Sequence, residues 1–191
     1  MIIGITGGSG CGKTTLLRCI EEKGGLILDC DAIYHQLLET DAALLEAIET
    51  RVPGVVEDGA LQRKKLGAIV FSDPAALADL NRITHSAIKN EVLRRMQSAP
   101  ALAAIDAIAL FEGDLASLCD VTVAVTAPKQ ARIARLMQRD GISEEYARKR
   151  IEAQPSNADF AALCHHTLDN TGDICAFRSK CLAFLSEFGI M

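Results

Sequence analysis

No apolar run in the 191-residue chain approaches the ~20 residues that a membrane-spanning helix needs, so a protein without membrane spans is expected. The start also lacks a basic n-region. Met1 to Thr6 (MIIGIT) runs straight into glycines, the pattern of a buried strand and not of a signal peptide. Cysteine is present seven times, but the number is odd, the spacing is irregular and no Cys-x-x-Cys pair occurs. Reduced, mostly structural thiols in a cytoplasmic protein are the expectation, with Cys19, Cys30, Cys164 and Cys181 set in apolar runs. Internal repeats, low-complexity tracts and linkers are absent. Positive charge is in deficit: 20 Lys and Arg against 25 Asp and Glu leave a formal net charge of −5. A broad nucleic-acid-binding face is therefore not expected, although a single anion pocket needs only local positive potential. What is there is an ordinary globular composition, 49% hydrophobic and 24% charged. It suffices for one domain with a real core and a small insertion.

The order of elements can be read from periodicity and punctuation. Met1 to Thr6 reads as a strand, Lys13 to Glu22 as a helix with Leu16, Leu17 and Ile20 at helical spacing, and Gly24-Gly25 as its stop. Leu26-Ile27-Leu28 is a second buried strand ending at Asp29-Cys30-Asp31. Strand, helix and strand in that succession imply a parallel sheet with a right-handed crossover. Residues 32–100 read as helices without a strand of comparable strength. Asp41 to Thr50 and Asp73 to Gln97 are amphipathic, with Asp41 and Asp73 as N-caps and Pro74 in a first turn. Strands resume at Leu102 to Ile108 and Val121 to Thr126. An arginine-rich helical region through Gln154, a weak strand from His166 to Asp169 and a helix from Asp173 to Phe188 follow. The fold class expected is α/β. It is an open parallel sheet of about five strands with helices on both faces, a helical insertion at 40–100 and a helical lid at 130–154, in one domain over 1–191.

Gly7-Gly8-Ser9-Gly10-Cys11-Gly12-Lys13-Thr14 fits Gly-x-x-x-x-Gly-Lys-Thr, the loop that cradles nucleotide phosphates. Backbone N–H donors surround a polyphosphate only if the chain curls tightly, which glycine permits. The helix that follows points its positive end at the anion. Lys13 can reach the β- and γ-phosphates, and the Thr14 hydroxyl can complete a Mg²⁺ shell. Gly8, Ser9, Gly10, Cys11, Gly12, Lys13, Thr14 and Thr15 are thus the expected ATP-binding residues, with Thr14 the metal ligand.

The sequence has no Asn-Lys-x-Asp guanine reader and no Leu-Ser-Gly-Gly-Gln signature, which argues against a GTPase and an ABC-type ATPase. A short chain whose second strand ends in acids suits a small-molecule kinase. Ligands of open α/β sheets sit at the carboxyl ends of the strands. Asp31 is the first candidate for the base that takes the proton of an attacking hydroxyl. Its bland alternative is an N-cap for a helix beginning at Ala32, and Asp29 is the second candidate. Arg132, Arg135 and Arg139 recur at helical spacing and share a face. They could close over ATP and stabilise charge on the transferring group, or form a solvated basic face. Arg139, before Asp140-Gly141, is placed for a flap tip.

The chain resembles the dephospho-coenzyme A kinase family from Ile2 to about Gly172. The likeness lies in Gly4-Ile5-Thr6-Gly7-Gly8 and the loop, Leu28-Asp29-Cys30-Asp31, and Gly59 to Arg63 with Leu66, Val70 and Phe71. It continues in Leu80-Asn81-Arg82-Ile83-Thr84-His85 and Leu110-Phe111-Glu112. Arg135, Arg139-Asp140, Arg150-Ile151 and Gln154, then Asp169-Asn170 with Gly172, complete it. The resemblance implies a P-loop kinase fold and transfer of the ATP γ-phosphate to the 3′-hydroxyl of dephospho-CoA, with Mg²⁺. Asp31 would be the base, Lys13 and Arg139 catalytic, and Arg135 on ATP. Arg63, His85, Leu110 and Glu112 would lie on the acceptor side. The sequence departs from the family pattern at Gln62, Ser86, Ile108-Ala109, Arg132, Phe160 and Cys164-His165, none of them in the loop or at Asp31. The implied partners are ATP and dephospho-CoA, without nucleic acid or membrane, in a monomer or small homo-oligomer. A kinase for another nucleoside or nucleotide acceptor, and a catalytically silent nucleotide-binding protein, are the competing readings.

Overall fold

Strand β1 (Ile2–Thr6) is buried from Ile3 to Thr6 on both faces, which is what a central strand of a parallel sheet requires. The computed structural model describes residues 1–190. In it β1 pairs in parallel with β5 (Ala103–Asp106) on one side and β6 (Val121–Thr126) on the other, and β6 pairs in parallel with β7 (His166–Asp169). With β2 (Leu26–Asp29) at the far edge, the five-stranded order is β2-β5-β1-β6-β7. The sheet is the α/β architecture expected.

The chain forms two compact units. The first comprises Met1–Leu28, Ala99–Phe111 and Leu115–Met191. Its main core sets Ile3 and Ile5 of β1 and Val121, Val123 and Val125 of β6 against α1 (Lys13–Glu22) and α9 (Ile174–Glu187). Those helices contribute Leu16, Cys19, Ile20, Phe177, Cys181 and Phe184, so cysteine serves here as a small apolar side chain. A smaller cluster of Ile133, Leu136, Ala147 and Ile151 joins α6 (Lys129–Asp140) to α7 (Glu144–Glu152), the region expected to form a lid. Next, α8 (Asn157–Leu163) begins with a reciprocal capping box between Ser156 and Asp159 and buries Phe160.

The second unit comprises Asp29–Ser98 with Glu112–Asp114. Helices α2 (Cys30–Thr40), α3 (Ala42–Arg51) and α4 (Arg63–Val70) pack with the 23-residue α5 (Pro74–Met96). Asp41 and Asp73 cap α3 and α5 through backbone N–H groups, as their position before each helix implies. The stretch also holds a small antiparallel hairpin, β3 (Val56–Glu57) with β4 (Ala60–Leu61). Its turn is Asp58-Gly59, both at positive φ (51° and 75°), the demand of a two-residue hairpin loop. Strand β5 stops at Asp106, short of the expected Ile108. Ala107 N–H makes the last bond to β1, at Ile5 O, and the Ile108 carbonyl accepts from the Thr6 hydroxyl instead of from a ladder.

Candidate active site

The loop between β1 and α1 is held by its carbonyls. Gly7 O accepts from Lys13 Nζ (3.0 Å) and Ser9 O from Arg132 Nε (2.9 Å). Gly10 O and Cys11 O accept from Arg135 Nη1 (3.1 and 3.2 Å), and Cys11 O also from Asn170 Nδ2 (2.8 Å). Gly8 O and Gly12 O accept from the N–H groups of Cys11 and Thr15. In a trans peptide the N–H points opposite its carbonyl. Tying down the carbonyls from Gly7 to Gly12 therefore fixes each peptide's orientation, with the N–H of Ser9 on Gln154 Oε1 and that of Cys11 on Gly8 O. A loop of backbone N–H groups held in this way is the kind that binds anions.

Gly12 shows why the sequence needs glycine. It sits at φ 103°, and a Cβ there would collide with the Asn170 amide. As the N-cap of α1 it offers no side-chain hydrogen bond, unlike Asp29, Asp41, Asp73, Ser143, Ser156 and Asp173 at the starts of α2, α3, α5, α7, α8 and α9. No capping side chain occupies the first turn of α1, which suits a helix start that meets an anion. The loop's Cys11 faces the core, 1% exposed, and burial pushes its thiol up from the ordinary range. Thr14 is exposed and Thr15 partly so.

Lys13 Nζ lies 3.8 Å from Asp106 Oδ1, with both side chains largely sheltered. Asp106 closes β5, beside β1 in the sheet, and was missed in the sequence because its neighbours read as strand interior. An acid at a strand's carboxyl end was the available signal.

The three arginines of α6 have three different environments. Arg132 is buried, and besides Ser9 O it donates to Gln154 Oε1 (2.9 Å) and Asn157 Oδ1 (3.5 Å). Arg135 spans Gly10, Cys11 and the Asn170 carbonyl. Arg139 is exposed and doubly bonded to Asp140 (2.7 and 3.0 Å), which Arg150 also contacts at 3.0 Å. Those hydrogen bonds, Arg139's first, hold the Asp140 carboxyl below its usual range. The helix spacing does bring Arg132 and Arg135 to the loop, while Arg139 pairs with its own neighbour. Two other departures from the family pattern are absorbed locally. Phe160 is core, and His165 Nδ1 accepts from Thr122 N–H (3.1 Å), tying the chain before β7 to β6.

In the second unit Asp29, not Asp31, caps the helix after β2. Its Oδ1 accepts from Ala32 N–H at 3.0 Å, and α2 starts at Cys30. Asp31 lies in the first turn, exposed. His85 and Glu112 line one cavity of about 470 Å³ with Asn81, Ser86, Lys89 and Asp114. Lys89 and Asp114 form an ion pair across 2.5 Å there. Arg63 opens α4 elsewhere in the unit, exposed, where its charge partly offsets the rise that burial imposes on the Tyr34 phenol. In the first unit Leu110 is fully buried and packs toward Gly4. It belongs to the wall behind β1. Among the described residues no group of three or more His, Cys, Asp or Glu is arranged to hold a metal, and no helix is long and apolar enough to cross a membrane.

Comparison with known proteins agrees with this geometry. The family model described as dephospho-CoA kinase matches residues 1–176. A dephospho-CoA kinase of Latilactobacillus sakei is 35% identical over 183 residues, covering 93% of this chain and 91% of that protein. Among solved structures, TT1252 from Thermus thermophilus superposes with a TM-score of 0.82 at 30% identity, over 98% of this chain and 97% of that one. Dephospho-CoA kinase from Campylobacter jejuni gives 0.68 at 27% identity, over 100% and 98%. With its phosphate loop gripped by α6 and by Asn170, and its sequence matched almost end to end, the chain belongs to the dephospho-CoA kinase family.

Proposed function

We propose that the chain transfers the γ-phosphate of ATP to the 3′-hydroxyl of dephospho-CoA. The observation that carries this reading is the family match over residues 1–176, which includes both the phosphate loop and the insertion unit. The 3′-oxygen attacks the γ-phosphorus as the bond to the β–γ bridging oxygen breaks. The proton passes to the Asp31 carboxylate, and ADP leaves. Asp31 suits this role because Asp29 does the capping, which leaves the Asp31 carboxylate in the first turn without that task. Lys13 would hold the β- and γ-phosphates, releasing Gly7 O to do so, and Arg135 would steady the loop around them. Arg139 would exchange Asp140 for the transferring phosphoryl group as the lid engages. His85 and Glu112, with Arg63, would serve the acceptor, and Leu110 would shape the wall behind it.

The donor chemistry suits Mg²⁺: an exposed hydroxyl at Thr14 and a carboxylate at Asp106, both hard oxygen ligands. The ion would neutralise charge accumulating between the β- and γ-phosphates. A cytoplasmic setting and a monomer or small homo-oligomer complete the reading. The test is ADP release coupled to a reporter, with ATP, Mg²⁺ and dephospho-CoA, and the product's 3′-phosphate located by mass spectrometry. Turnover well above ATPase background is expected. Turnover at background, or preference for a plain nucleoside over dephospho-CoA, would overturn the assignment.

A further inference from the structure

Arg132 carries a full charge at a site where almost none of it reaches water: the residue is 3% exposed. Its three hydrogen-bond acceptors are a backbone carbonyl at Ser9 and two side-chain amide oxygens, at Gln154 and Asn157. None is a carboxylate, and among the described residues no acid lies within ion-pair distance of it. A buried guanidinium with neutral partners is costly by itself. Burial pulls its proton affinity down accordingly. The charge is kept at one place, the back of the phosphate loop.

The contacts there are specific. Two donors, Arg132 Nη2 and Ser9 N–H, converge on Gln154 Oε1, both at 2.9 Å. That fixes the carboxamide's orientation and turns Gln154 Nε2 to Ser9 Oγ at 2.8 Å. Arg132 Nε holds the Ser9 carbonyl. Gly8 lies so close beneath the guanidinium that a Cβ on it would collide with Nη2. Ser9 is thus bracketed at its carbonyl, its N–H and its hydroxyl by one arginine–glutamine pair, drawn from α6 and from the turn after α7.

We propose that Arg132 is a positioning residue for the triphosphate. It clamps Ser9 through its carbonyl and through Gln154, and it supplies the loop with an uncompensated positive charge that a polyphosphate offsets. The unmet charge is thereby satisfied in the nucleotide complex, so the cost of burying it falls on the free enzyme and returns as affinity for the anion. This rests on the reading that the loop binds ATP, which wild-type binding tests separately.

The test is Mg²⁺-ATP titration by calorimetry, with steady-state kinetics alongside, for the wild type, R132M and R132K. If the wild type itself does not bind ATP, the reading of the loop fails and not the role of Arg132 within it. Given wild-type binding, R132M is expected to raise the ATP Kd and KM about tenfold while kcat and the dephospho-CoA KM stay within about twofold. R132K keeps the charge but loses the fork, and should bind ATP about two- to threefold more weakly than wild type, still more tightly than R132M. A merely structural role would instead lower the thermal midpoint and move both KM values together. Unchanged ATP affinity in folded R132M overturns the proposal, as does an R132K as weak as R132M. Should R132M not fold, R132K decides: the lost bond to Ser9 must weaken ATP binding two- to threefold, and an unchanged Kd overturns the clamp.

Discussion

At the residue scale, Lys13 and Asp31 have separable tasks under the proposed mechanism. Lys13→Ala removes a cation from the phosphates, and both ATP affinity and turnover should fall, with kcat/KM down by at least about 10²-fold. Asp31→Asn keeps size and loses the proton acceptor. Its kcat should fall by about 10² to 10⁴, the range of general-base catalysis, with the ATP Kd within about twofold of wild type. Calorimetry for ATP and steady-state kinetics on both variants check this, and equal loss of ATP binding in the two would remove Asp31 from the chemistry. The choice between Asp29 and Asp31 shows what sequence leaves open. Both lie next to the end of β2, and either could cap the helix that follows. Which one caps depends on whether the helix starts at Cys30 or two residues later, and only the backbone dihedrals decide that.

At the element scale, caps are legible because capping is local: an acid before a helix meets the N–H groups two and three residues ahead. Asp73 accepts from Ala75 N–H at 2.9 Å and Ala76 N–H at 3.1 Å, with Pro74 opening the 23-residue α5. Asp73→Ala should cost about 1 kcal/mol of stability and lower the thermal midpoint by roughly 2–4 °C. A melt of the variant beside wild type measures it, and no shift would mean that the cap is redundant. The β3–β4 hairpin was missed although Asp58-Gly59 advertises its turn, because two-residue strands carry no periodicity to read. The overlong reading of β5 has a different cause. Residues 102–108 are apolar throughout apart from Asp106, and the strand ends where Thr6 takes the Ile108 carbonyl, a contact 102 residues apart in sequence.

At the scale of the whole molecule, the acid limit of stability should bear the mark of Glu91. Hydrogen bonds from Arg94 and Arg95 hold its carboxyl down at about 2, from an ordinary 4.5. Arg95 also reaches Gln36 Oε1 at 2.7 Å, so the cluster ties α5 to α2. A folded pKa below the unfolded one stabilises the protein above the unfolded pKa, and that stabilisation drains as pH falls through the folded value. The contribution is complete above pH 4.5 and is lost on the way down to about pH 2. Thermal midpoints across that window should fall less steeply for Glu91→Gln than for wild type. Parallel curves would show that the pair is too screened to matter.

Sequence alone determined the phosphate loop, the parallel sheet, the caps at Asp41 and Asp73 and the family, because each rests on neighbours in the chain or on an ordered set of short motifs. It also singled out Arg132, as one of three arginines on a face that could close over ATP and as a departure from the family pattern. Tertiary structure decided what that arginine does. Its acceptors lie at Ser9, Gln154 and Asn157, 123, 22 and 25 residues away, and its burial exists only once α6 packs against the loop. The same holds for the loop as a whole. Its glycines permit the curl, but its carbonyls are held by Arg132, Arg135 and Asn170, donors that no local reading could have assigned to them.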